Sequence, residues 1–99
     1  MIETFRRETF SEGYVIKVFY EEDKYVEMVL AKTYEGRYKV AFLEREPFAW
    51  IFRTEKNIFI EAGCYKMEQS KVGSFEMMIN PVVPLVGQNE YNFYEAVFS

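Results

Sequence analysis

The stretch Tyr91-Asn92-Phe93-Tyr94-Glu95-Ala96-Val97-Phe98 constrains the fold more than any other. It holds no Gly and no Pro, and aromatic and β-branched residues fill most of it, which is strand composition. Its alternating sets are Tyr91, Phe93, Glu95, Val97 and Asn92, Tyr94, Ala96, Phe98. Both are largely apolar, which predicts a strand covered on both faces, inside a small sandwich or barrel. Tyr94, Ala96 and Phe98 should point into the core, with small Ala96 between two large rings. The other face should be less completely covered, because it has to accommodate Glu95. A segment this apolar should be docked in the sheet rather than frayed.

Similar segments recur upstream at about ten-residue spacing. Residues 1–10 carry Ile2, Phe5 and Phe10 among charges and fit one helical turn or a short edge strand equally well. Ser11-Glu12-Gly13 reads as a turn. Tyr14–Tyr20 alternates as a strand, with Tyr14, Ile16, Val18 and Tyr20 on one face. Glu21-Glu22-Asp23 is a solvated hairpin turn. Tyr25–Thr33 is the next strand, with Val26, Met28 and Leu30 inward. A turn at Tyr34-Glu35-Gly36-Arg37 leads to a strand over Tyr38–Leu43, broken at Glu44-Arg45-Glu46-Pro47. Phe48–Arg53 follows as a strand, then a polar turn at Thr54–Asn57 and a short apolar piece, Ile58-Phe59-Ile60. Gly63 ends that piece or marks a bulge. Cys64–Glu68 continues as a strand, Gln69–Gly73 turns, and Phe75–Ile79 is closed by Asn80-Pro81. A longer, irregular loop spans Pro81–Glu90. The pattern predicts one all-β domain over residues 1–99, an antiparallel barrel or sandwich of about seven strands. No internal repeat is visible by eye.

Composition supports a packed core. Hydrophobic residues make up 49% of the chain, including ten Phe, eight Tyr and one Trp. Large rings let a short chain fill its interior without covalent staples. The net charge of −4 argues against nucleic acid as a partner, since such binding releases counterions from phosphates through a basic surface. Cys64 is the only cysteine, so no intrachain disulfide forms. The first residues lack the apolar run of a signal peptide, and no stretch approaches a membrane span. The expected setting is a bacterial cytoplasm, with incorporation into a larger particle compatible with it, and no membrane partner is expected.

The chain has no His, so a nucleophile would need Lys or a carboxylate as base, and no recognisable spacing offers one. Cys64, between Gly63 and Tyr65, is expected to be a buried structural thiol. Glu21, Glu22, Asp23, Glu44 and Glu46 read as loop charges, and the Glu21-Glu22-Asp23 run lacks the ligand spacing and glycine of a calcium loop. The glycines are scattered, with no phosphate-binding loop. No catalytic, cofactor-binding or metal-binding residue is assigned, and a non-enzymatic protein is expected. Tyr34, Arg37, Tyr38 and Lys39 mix rings and cations as a single-strand-binding barrel would. The acidic total favours a hairpin that merely braces the sheet. Glu95 is read as a carboxylate at the sheet surface or paired with a nearby cation.

Several of these segments resemble one family. Pro47-Phe48-Ala49-Trp50-Ile51-Phe52, Gly63-Cys64-Tyr65, Val72-Gly73, Ile79-Asn80-Pro81-Val82 and the closing Tyr94-Glu95-Ala96-Val97-Phe98 are similar to successive motifs of small bacterial all-β domains of unknown function. Those domains carry Pro-Phe-Ser-Leu-x-Phe, Gly-x-Tyr, Leu-Gly, an apolar strand with Pro-Val, and Tyr-Glu-Ala-Val-Phe. Here Ala49 and Trp50 stand in place of Ser-Leu, and Asn80 is inserted before Pro81. The resemblance covers roughly the last half of the chain; residues 1–46 match only as strands in the right order. The family is encoded near phage-tail-collar proteins, which implies a structural or adaptor role in a phage or phage-like particle, acting through contacts with a protein partner or a second copy. The alternative from a different class is a small β-barrel binding nucleic acid or carbohydrate through exposed Tyr and Trp.

Overall fold

The computed structural model describes residues 5–35, 48–83 and 90–98. Six strands are seen there: β1 Val15–Phe19, β2 Tyr25–Glu35, β3 Phe48–Glu55, β4 Gly63–Gln69, β5 Gly73–Val82 and β6 Tyr91–Phe98. They close into an antiparallel barrel in the order β1-β2-β3-β6-β5-β4. Each half of the chain is a three-strand meander, and β4 returns beside β1, so the barrel is Greek key in connection. The expected strand at Tyr38–Leu43, the turn at Gly36-Arg37 and the break at Glu44–Pro47 lie outside the described residues, as does most of the Pro81–Glu90 loop.

The two halves repeat one hairpin register for register. In the first hairpin Val15 faces Val29, Ile16 faces Met28, Lys17 faces Glu27 and Val18 faces Val26. In the second, Cys64 faces Met78, Tyr65 faces Met77, Lys66 faces Glu76 and Met67 faces Phe75. The cross-strand Lys–Glu pair occurs at the same place in each. The correspondence is one of register and of a single charge pair, while the turns that join the strands share no residues.

Alternation decides the core, since successive side chains of a strand point to opposite faces. Ile16, Val18, Met28, Leu30, Met67, Met77 and Ile79 come inward from the two hairpins. Phe48, Trp50 and Phe52 of β3 meet Phe98, Ala96 and Tyr94 of β6 in register. All six are buried, and Ala96 lies opposite Trp50, so the small residue makes room for the largest one. Phe48 and Phe98 stack at 4.5 Å between ring centroids, and Trp50 meets Phe98 edge-on at 4.9 Å. The other face of β6 is uneven: Phe93 is buried, Tyr91 and Glu95 are half-buried and Val97 is 65% exposed. A strand apolar on both sides is therefore covered fully on one side only.

Residues 5–10, which fitted a helical turn or an edge strand, form a single 3-10 turn at Arg7–Thr9. The Arg6 amide donates to Thr9 Oγ1 at 2.7 Å. Phe5 and Phe10 on either side are buried. Phe10 packs on Trp50 at 4.8 Å and Phe5 meets Phe75 edge-on at 5.2 Å, so this segment plugs the aromatic core. At Gly13 and Gly73 the backbone takes φ of +95° and +82°, the left-handed region in which a side chain would be strained.

Several strand boundaries differ from the sequence reading. β3 runs on through Thr54 and Glu55, read as turn residues. Thr54 is buried because its hydroxyl donates to the Ile58 carbonyl at 3.1 Å, leaving no unmet polar group. β2 likewise runs through Tyr34 and Glu35, shifting register between Leu30 and Lys32. β5 continues through Asn80-Pro81 to Val82 instead of closing there. β4 begins opposite Ile79, so beyond that point β5 has, among the described residues, only β6 as a ladder neighbour. On its other side no strand of the described residues awaits an N–H from Pro81.

Candidate binding surface

At one end of the barrel the connection from β3 to β4 is held by side chains rather than by a ladder. The turn closes with the Ile58 amide donating to the Glu55 carbonyl at 3.0 Å. The Ile58 carbonyl then receives Thr54 Oγ1 at 3.1 Å and Asn92 Nδ2 at 2.5 Å, and the Tyr94 hydroxyl lies 3.4 Å away. Asn92 Nδ2 also reaches the Lys56 carbonyl at 3.1 Å. The Ile60 amide donates to the Tyr94 hydroxyl at 2.9 Å, and the Tyr65 hydroxyl donates to the Glu61 carbonyl at 2.7 Å. Four side chains from β3, β4 and β6 thus satisfy the backbone of a segment without strand partners, as a non-ladder segment against a core requires.

Ile60 packs into the core from this segment, while its neighbour Phe59 points outward and is 63% exposed. Phe59 lines an open pocket of about 330 Å³ with Tyr20, Val26, Ile58, Ile60, Glu61 and Tyr65. Tyr20 is 47% exposed and starts the tip between β1 and β2, closed by its amide donating to the Lys24 carbonyl at 3.1 Å. Two exposed aromatic rings on a fixed frame are the arrangement from which interface anchors are made, because little side-chain freedom is lost on contact. A second concavity of about 400 Å³ lies on the outer face around Val15, Lys17, Glu27, Glu68 and Ser74.

Cys64, expected to be buried, is exposed. Met67 and Tyr65 take the core side of β4, so alternation turns Cys64 and Lys66 outward, and Cys64 faces the exposed Met78 across the ladder. Glu21, Glu22 and Asp23 form the exposed hairpin tip, where Lys24 pairs with Glu21 at 3.4 Å. Of the group Tyr34, Arg37, Tyr38 and Lys39, only Tyr34 is described, with Lys32 Nζ 5.0 Å from its ring centre. Trp50, proposed as an exposed contact residue, has no accessible surface. Glu95 is half-buried on the outer face, opposite Ile51 and Asn80. In the sequence Phe59 stands out only as part of a short apolar piece. The signal that could have singled it out is an apolar triplet with no alternating partner strand, where one ring of three must face out.

These features define the class: a small six-stranded antiparallel barrel with an aromatic core and a side-chain-pinned loop displaying a phenylalanine. The chain belongs to the family described as Domain of unknown function (DUF6916), which it matches over residues 5–98. The match takes in the first half of the chain as well as the last. No curated protein and no solved structure is significantly similar to it.

Proposed function

We propose that this barrel is a protein-binding module, a small structural or adaptor component that works through the pocket around Phe59. The observation that carries the reading is the exposure of Phe59 on a loop fixed by Thr54, Asn92, Tyr94 and Tyr65. Those hydrogen bonds hold an apolar ring in water, and a binding partner is what recovers its burial energy. The narrower setting, a phage or phage-like particle of bacterial origin, is supported by the resemblance of the closing Tyr94-Glu95-Ala96-Val97-Phe98 strand. Against the nucleic-acid or carbohydrate alternative weigh the burial of Trp50, the net negative charge and the engagement of surface cations by the chain's own rings.

The test is a photo-crosslinking residue placed at Phe59 in producing cells, with the same residue at Glu76, exposed on the outer face of β5, as control. The reading expects a discrete protein adduct from position 59 alone. An adduct with a particle component would support the narrower setting. Absence of an adduct at 59, with salt-sensitive retention of single-stranded DNA by the purified protein, would overturn the reading.

A further inference from the structure

Five of the described cations lie against the chain's own aromatic rings. Lys17 Nζ lies 4.9 Å from the ring centre of Tyr25, Lys32 Nζ 5.0 Å from Tyr34, and Arg53 5.1 Å from Tyr91. Lys66 and Lys71 lie 5.6 and 6.0 Å from Phe19 and Tyr14. An aromatic face is the negative end of the ring quadrupole, so each of these pairings is attractive. Tyr20 and Phe59 differ. Both are exposed and line the same pocket, yet among the described residues no cation lies over either ring.

One acid lines this pocket, and two more stand on the hairpin tip that follows Tyr20. Glu61 lines it, and among the described residues only its backbone carbonyl is engaged, by Tyr65. Glu22 and Asp23 stand exposed on the hairpin tip that starts at Tyr20, with no partner among the described residues. Lys24 is neutralised by Glu21. Aromatic walls at a negative rim are complementary to one chemistry, a cation on an aliphatic stem, because clefts of one sign concentrate the field on an incoming charge and the stem itself buries apolar surface.

We propose that the pocket formed by Tyr20, Phe59, Ile60, Glu61 and Tyr65 accepts an arginine or lysine side chain from an exposed basic segment of a partner protein. The stem lies against Phe59 and Val26, and the charged head faces Glu61 and the acids of the hairpin tip. This rests on the protein-binding reading above and names the chemistry of the partner. The same acids repel a phosphate backbone.

The probe is a synthetic peptide, Gly-Ser-Arg-Leu-Arg-Ser-Gly amide, titrated into isotopically labelled protein and followed by amide chemical shifts. The control peptide carries norleucine in place of both arginines, keeping the stems and removing the charge. The arginine peptide should shift the amides of Tyr20, Val26, Phe59, Glu61 and Tyr65. It should bind about fivefold or more tighter than the control, the scale of an exposed ring–cation contact with an ion pair, and weaken as salt is added. Glu61→Gln should reduce that preference. Phe59→Ala should weaken both peptides, and well-dispersed spectra would show that each variant still folds. Equal binding of the two peptides would overturn the cation preference while leaving the protein-binding reading intact. No response to either peptide would overturn the pocket as the receiver of a basic side chain, whereas the protein-binding reading falls only with the crosslinking at Phe59.

Discussion

Replacing Tyr94 by Phe isolates what holds the β3–β4 connection. The ring is fully buried, so the substitution keeps the core volume and deletes one oxygen. That oxygen accepts the Ile60 amide at 2.9 Å, and Ile60 is itself buried. The Ile58 carbonyl, by contrast, keeps Thr54 and Asn92 as donors, so its loss is small. The cost is dominated by one buried N–H left without an acceptor, about 1–3 kcal/mol. Urea denaturation should show that loss as a lower midpoint at unchanged slope. Hydrogen exchange gives the sharper test: the Ile60 amide should lose protection by more than the drop in global stability, because the connection opens locally before the barrel unfolds. Asn92→Ala should cost less, since Thr54 still donates to the carbonyl it leaves. A Tyr94→Phe variant within about 0.5 kcal/mol of the parent, with Ile60 still protected, would refute the pinning argument.

Phe98→Ala should cost roughly 3–5 kcal/mol, because the ring stacks on Phe48 and abuts Trp50; thermal or urea unfolding measures it, and a loss under about 1 kcal/mol would place the ring outside the core. Deleting residues 91–99 should prevent cooperative folding, since β6 pairs with β3 over its whole length and closes the barrel against β5; a soluble, cooperatively melting truncation would contradict this. Cys64 should react with a thiol reagent in the folded protein without prior unfolding, as its exposure on β4 requires, and Cys64→Ser should leave the melting temperature nearly unchanged.

The strands were legible wherever one face is apolar and the other polar. Ile16 with Val18, and Met28 with Leu30, show their period directly, and both pairs are fully buried. The terminal strand was legible in its core face for a second reason: Ala96 between Tyr94 and Phe98 is a size pattern as well as a hydropathy pattern, and it meets Trp50 on the opposite strand. Errors arose where tertiary neighbours decide. Thr54 reads as turn because it is polar, yet one acceptor, the Ile58 carbonyl, suffices to bury it in β3. Pro81 reads as a strand end because it cannot donate, yet β4 stops short of it and no other strand of the described residues pairs with that edge. Cys64 reads as buried by residue type, but its face is fixed by its position relative to Met67.

The pocket at Phe59 was the least legible feature, for a definite reason. Its parts come from the end of β1, the start of β2, the β3–β4 connection and β4, and its frame depends on Asn92 and Tyr94 from β6. No spacing in the chain announces that Tyr94 reaches Ile60. The same fact limits which changes can disturb function alone. Tyr94 and Thr54 serve the core and the loop at once, so their substitutions alter stability and binding together. Phe59 and Glu61 are exposed and contribute little to the barrel, so their substitutions should alter binding with stability held. A partner lost in Phe59→Ala at unchanged melting temperature would locate the binding energy in the displayed ring. A partner lost only in proportion to melting temperature across Phe59, Thr54 and Tyr94 variants would mean that the barrel as a whole is recognised and the ring is incidental.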